Sequence, residues 1–244
     1  MITQTKIRLC FPEGASFSEA PSLIIYKKML AGIKRISCTN SKSKCSDCPS
    51  RSDCRYYWIT GNNFDTVPGL YVQRQLFEPK LFHKNECCLV HLFWIGETGS
   101  FSVLTEPFIE QLNQKLNGQP FYLQSCINEA FNQQKISVRR LKILSPVVKG
   151  RQMNESDPFL HMRETFQTRY QARCEIPDSD FRWTCCLTVN TDPVRLPTKT
   201  LSCSGHVGFI EFEHETSIDT LFLEVGLGLS SCIGGGKIEA DNHL

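Results

Sequence analysis

Five of the chain's 15 glycines, Gly226, Gly228, Gly234, Gly235 and Gly236, fall within eleven positions of the stretch LFLEVGLGLSSCIGGGKIEAD. Glycine adds no side chain to a core and loses more conformational entropy on folding than any other residue. A cluster this dense marks backbone that must turn sharply or approach something closely. Any fold for this chain has to seat that segment between the apolar runs LFLEV and KIEA.

The rest of the chain supplies elements on either side of it. TKIRLCF reads as a strand and APSLIIYKKMLAGIKRI as a helix, with Leu23, Tyr26, Leu30 and Ile33 near helical spacing. LYVQRQL, ECCLVHLFWIG and FYLQSCI read as strands. Between the last two, EPFIEQLNQKLNG reads as an amphipathic helix with Pro107 in its first turn and Gly118 at its end. The second half repeats the order: ISVRRLKILSPVV, the helix DPFLHMRETFQTRYQA capped by Asp157, RWTCCLTVN, SGHVGFIEFE, the helix-like SIDTLFLEVG and the closing GGKIEAD. Two β-α-β-β-α-β units in tandem predict an α+β fold of two ferredoxin-like units, 1–135 and 136–244. No close sequence repeat accompanies the doubled order. The glycine cluster then joins the last helix to the last strand of the second unit.

At 244 residues each unit is large enough to bury a core, and 41% hydrophobic and 21% charged residues are ordinary for a folded soluble chain. No apolar run approaches the roughly 18 residues of a membrane span, and MITQTKIRLCFPEG lacks the features of a secretory signal, so no membrane anchor and a cytoplasmic location are expected. The net charge of +2 does not point to nucleic acid. Its distribution does more, because two zones are basic. One includes Lys27, Lys28, Lys34, Arg35, Arg51 and Arg55; the other includes Arg139, Arg140, Lys142, Lys149, Arg151, Arg163, Arg169 and Arg173. Each alone reads as a solvated face, and a fold that joined them would form a phosphate-tracking groove.

Thirteen cysteines in a reducing compartment call for packing or metal chemistry rather than a disulfide framework. Cys38, Cys45, Cys48 and Cys54 form C-x6-C-x2-C-x5-C in a polar insertion at about 37–58. Four thiolates satisfy a tetrahedral zinc ion, which would order a segment with little core of its own. An iron–sulfur cluster takes the same ligands. The other cysteines, among them Cys87, Cys88, Cys126, Cys185 and Cys186, lie in apolar strands and are expected as small core residues.

The spacing Gly226-Leu227-Gly228, five residues, then Gly234-Gly235-Gly236 resembles the C-terminal glycine-rich loop, G-h-G-x5-G-h-G, of the RAMP superfamily. In particular it resembles the CRISPR-associated endoribonucleases that process precursor CRISPR RNA (the Cas six family), with Gly235 departing from the usual apolar position. LKILSPVVKGRQ, SGHVGFIEFE and FSVLTEPFIEQL agree with that resemblance. Some members carry an insertion C-x2-C-P-x-R-x2-C-x-Y, which Pro49, Arg51 and Tyr56 match here. The resemblance implies a loop whose backbone N–H groups receive RNA phosphates, with Lys237 adding charge at its exit. It implies a repeat-RNA hairpin as partner, with other CRISPR effector subunits as further partners. The implied reaction is cleavage without a catalytic metal, in which the RNA's own 2′-hydroxyl attacks the adjacent phosphate.

Such chemistry needs a proton acceptor, a proton donor and a cation. Tyr26 and Lys28 lie on the first helix, where the family places catalytic residues. His161 stands in the first turns of a helix beside Arg163, and His206 lies between Gly205 and Gly208 on a strand. His91, inside CCLVHLFW, reads as a satisfied core residue, and the glycine stretch itself contains no histidine. Two alternatives stay open: a non-catalytic RNA-binding subunit of the effector complex, and a metal-stabilised adaptor that uses the cysteine segment to bind protein.

Overall fold

The segment ITQTKIRLCF forms strand β1 (Ile2–Phe11), in which only Lys6 and Arg8 escape burial. That pattern belongs to a central strand, paired on both edges and covered on both faces. In the computed structural model, which describes residues 1–40, 43–73, 77–148, 157–201 and 204–241, β1 is indeed flanked on both sides. Helix α1 (Pro21–Ser37) follows, then the short α2 (Arg55–Ile59), strands β2 (Leu70–Val72) and β3 (Glu86–Ile95), helix α3 (Thr105–Glu110) and strand β4 (Tyr122–Ala130). The sheet order is β2-β3-β1-β4, antiparallel throughout.

The second unit comprises β5 (Lys135–Val147), α4 (Pro158–Tyr170), β6 (Phe181–Val189), β7 (Gly205–Asp219), α5 (Thr220–Val225) and β8 (Ile238–Ala240). Its order, β6-β7-β5-β8, repeats that of the first: second, third, first, fourth. Each unit is therefore a ferredoxin-like sheet. Asp157 caps α4 by accepting from the N–H groups of Phe159 and Leu160 at 2.9 and 3.0 Å. Phe159 packs its ring against Phe181, Phe212 and Phe222 at centroid distances of 5.9, 6.3 and 5.3 Å. Truncating so buried a ring to alanine costs about 3–5 kcal/mol.

The helix expected over EPFIEQLNQKLNG is shorter than its pattern. It ends at Glu110, and Asn113, Gln114 and Asn117 take left-handed backbone angles (φ 51, 58 and 47°) that divert the chain into a small hairpin. Asparagine tolerates that region better than most residues, so Asn113 and Asn117 help stop the helix where hydrophobic spacing alone would continue it.

Two cysteine expectations need correction. Cys10 and Cys87 are register partners on β1 and β3 and are joined as a disulfide, although a reduced state was expected. Cys185 and Cys186 are exposed rather than in the core. His91 is also not satisfied: Nδ1 lies 3.5 Å from Gln4 Nε2, and its buried Nε2 has no partner. No described helix is long and apolar enough to cross a membrane.

The units meet along the β2 edge of the first sheet. Tyr71 on β2 packs against Phe166 of α4 at 6.0 Å, and the Tyr170 hydroxyl donates to the carbonyls of Trp58 and Val67 at 3.2 and 3.0 Å. Arg169 donates to the carbonyls of Tyr57 and Trp58, so the end of α4 ties down the end of α2. Gly96 sits so close to this helix end that a Cβ would stand 1.7 Å from the Tyr170 oxygen.

Candidate nucleic-acid interface

The glycine segment lies between α5 and β8, as the element order requires. Gly226, Gly228, Gly234 and Gly236 have φ of 77, 87, 91 and 63°, a region that side chains other than glycine's disfavour. The segment folds onto itself and onto the end of β5. Leu227 N–H donates to Gly236 O, Gly235 N–H to Ser230 O, Gly236 N–H to Pro146 O, and Leu229 N–H to Val148 O, all at 2.8–3.1 Å. Most of it is buried, including Leu227, Cys232 and Ile233. These N–H groups serve the fold itself, whereas the resemblance implied that they point at phosphate.

Below the segment lies Tyr26. It is fully buried and its hydroxyl donates to Leu70 O at 3.0 Å. Burial, and then the neighbouring Cys232 thiol, push its phenol far above the ordinary value. Lys28, two residues on, is exposed. His161 is half-buried, and burial lowers its pKa against the opposing pull of Glu164. His206 pairs with Val147 at the end of β5, one residue from the carbonyl that holds Leu229. No hydrogen bond or ion pair joins any two of these four side chains; Tyr26 touches the glycine segment through Cys232, and His206 borders the strand end on which that segment rests.

Several basic side chains are already engaged. Arg140 is bonded to Asp241, stands 3.8 Å from Glu211 and lies 4.5 Å over the Phe209 ring. Lys142 pairs with Glu239 at 3.5 Å, Lys27 with Glu19 at 2.6 Å, and Arg35 with Gln111. Arg169 is spent on the α2 carbonyls, and the buried Arg163 Nε has no partner. Arg139 is exposed and lines an open cavity of about 610 Å³ with Arg182 and Glu213. Lys237 donates its backbone N–H to Ser145 Oγ at 2.8 Å. Its ammonium acts on Glu224, a half-buried carboxylate whose pKa burial raises and which accepts from Gln73 of the first unit. Lys34 neighbours Cys45. Lys149 and Arg151 lie outside the described residues.

Cys38, Cys45, Cys48 and Cys54 line one cavity of about 20 Å³. That is room for about one water-sized sphere. Burial raises the Cys45 thiol's pKa; Lys34 lowers it, and the other three thiols raise it. Among the described residues no three potential ligands stand in metal-holding geometry. Four thiols are a donor set that a thiophilic ion takes, and a closed ligand shell would need them to draw together.

A second open cavity, of about 670 Å³, was not foreseen. Arg55, Trp58, Glu97, Ser100 and Phe101 line it. The sequence signal was an arginine and a tryptophan three positions apart directly after the last cysteine, in CRYYW.

No protein-family model matches the chain, and no curated protein matches it in sequence. Solved structures do show similarity in fold. One is a CRISPR associated protein Cas6, at 12% identity over 99% of this chain and 100% of that one, with a TM-score of 0.45. A second is the product of a Cas6-related gene from Pyrococcus furiosus, at 12% identity over 100% of both chains, with a TM-score of 0.47. A third is a RAMP protein binding different RNA substrates, at 12% identity over 98% of this chain and 100% of that one, with a TM-score of 0.41.

Proposed function

We propose that this protein is a CRISPR-associated RAMP endoribonuclease that binds a repeat-RNA hairpin and cuts precursor CRISPR RNA into guides. The observation that carries this reading is the glycine segment itself. It sits between the last helix and last strand of the second of two ferredoxin-like units and is packed at the seam between them. RNA binding would use the phosphate backbone and the hairpin's shape.

In the cleavage step a base takes the proton of the 2′-hydroxyl, O2′ bonds to phosphorus, the P–O5′ bond breaks, and an acid returns a proton to O5′. The products are a 2′,3′-cyclic phosphate and a 5′-hydroxyl. His206 is the base favoured by position, because it borders the end of β5 on which the glycine segment rests. Lys237 and Lys28 supply cations, and His161 is the second histidine candidate. Tyr26 supports the seam, since its hydroxyl is bonded within it. The four cysteines would hold a single zinc ion as a structural brace.

A second reading is favoured by one observation: the four candidate side chains are not joined in a hydrogen-bonded constellation. In that reading the protein binds guide RNA within an effector complex and does not cut. Incubation with a precursor RNA carrying the repeat from the protein's own array separates the two. Cleavage at one position per repeat supports the nuclease; tight binding with intact RNA supports the non-catalytic subunit; failure to bind refutes both.

A further inference from the structure

We propose that Arg55, Trp58, Glu97 and Phe101 form a nucleotide subsite that stacks one unpaired RNA base bearing an exocyclic amino group. The site lies away from the glycine segment, and the choice of RNA as ligand rests on the function proposed above. Trp58 is half-buried, its indole N–H makes no hydrogen bond among the described residues, and Arg55 stands with its guanidinium 5.8 Å from the ring centroid. Among the described residues the Arg55 guanidinium has no carboxylate or carbonyl partner, in contrast to Arg140 and Arg169. An aromatic face beside an uncommitted guanidinium is the chemistry that holds a base and its phosphate together. The cavity, at about 670 Å³, is of ligand size and open to solvent.

The walls are held before any ligand arrives. Cys54, the fourth thiol of the cysteine cavity, is the N-cap residue of α2, so it joins that cavity directly to the helix that carries Arg55 and Trp58. The other end of α2 is fixed from the second unit, where Arg169 and Tyr170 donate to the Trp58 carbonyl and the Tyr170 ring meets the indole edge-on at 5.5 Å. The opposite wall is the 3₁₀ segment Gly96–Leu104, pinned by Thr98 Oγ1 donating to Gly69 O at 2.8 Å. Glu97 and Phe101 project from it into the cavity. The Glu97 carboxylate has no partner among the described residues, and an acceptor of this kind selects a base edge that donates, as cytosine N4 does and uracil O4 does not.

The test uses hexacytidylate and hexauridylate at low salt, read through indole emission, with a Trp58→Phe variant to assign the signal. Trp94 is fully buried, and because Trp183 on β6 is half-buried like Trp58, the signal lost in Trp58→Phe is the part assigned to the subsite. Hexacytidylate should quench the wild type and not Trp58→Phe. Trp58→Ala should lower its affinity roughly 5- to 150-fold, the range of one base–aromatic stack. Arg55→Gln should flatten the salt dependence by about one phosphate contact, and Glu97→Gln should erase the preference for cytidine over uridine. Absence of quenching by either oligomer in a protein that binds the repeat hairpin would overturn the subsite. Quenching by hexacytidylate in a protein that ignores the repeat hairpin would keep the subsite and remove the CRISPR reading.

Discussion

Gly236 approaches Leu227 so closely that a Cβ on the glycine would stand 1.8 Å from the leucine carbonyl oxygen. This contact closes the glycine segment on itself, and the hydrogen bond from Leu227 N–H to Gly236 O, 2.8 Å, runs through the same point. The glycine cluster is thus first a packing device. Gly236→Ala should destabilise folding by more than the roughly 1–2 kcal/mol of a left-handed residue, because a backbone oxygen must also move. Gly118→Ala is the control: φ is 85° there and nothing lies within 4 Å, so only the backbone term remains. Urea unfolding of both variants checks this, and equal midpoints would contradict it.

The basic residues of β5 should separate in RNA binding. Both arginines line the same open cavity, but Arg140 is held there by Asp241 and Glu211, whereas Arg139 is exposed. Arg139→Gln should reduce the slope of log affinity against log salt by about one, and Arg140→Gln should leave it close to the wild-type value. Titration of the repeat RNA at several salt concentrations reads both slopes; an equal loss in the two variants would contradict the pairing argument.

The order of elements and the place of the glycine segment were legible in the sequence, because hydrophobic period and glycine spacing are local signals. What the glycines touch was not. The partner oxygens belong to Pro146, Val148 and Leu227, and only the folded sheet brings the end of β5 to the segment. Charge zones were legible as composition, yet their pairing depends on register: Arg140 meets Glu211 because β5 and β7 align them, and Asp241 follows β8 on the other side. The Cys10–Cys87 link was hidden for the same reason, since 77 residues separate two positions that only the β1–β3 register makes neighbours.

The seam should depend on single hydroxyls. Tyr170→Phe removes the donor to the Val67 carbonyl, at a cost of about 1–3 kcal/mol, whereas the Trp58 carbonyl keeps its bonds from Arg169. Thermal unfolding measures it, and an unchanged midpoint would mean that the Val67 carbonyl finds another partner.

Purified protein should contain about one equivalent of zinc, lost when Cys45 and Cys48 are both replaced by serine. Elemental analysis of fresh protein tests this. Neither zinc nor iron in the wild type would remove the metal brace, and iron in a coloured preparation would replace zinc with a cluster.

His206→Ala should reduce single-turnover cleavage by roughly 10²–10⁴-fold, the loss expected of a general base, while repeat-RNA affinity stays within a few-fold of wild type. A loss below tenfold, with His161→Ala instead showing the large effect, would move the base to α4.

The central claim is cleavage by the RNA's own 2′-hydroxyl. Its most direct measurement is cutting of a repeat RNA in EDTA, compared with the same RNA carrying a single 2′-deoxy nucleotide at the cut position. The account predicts undiminished cleavage of the all-ribose strand, with a 2′,3′-cyclic phosphate end, and an intact deoxy-substituted strand. Cutting of the deoxy-substituted strand, or loss of all cutting on chelation, would contradict it.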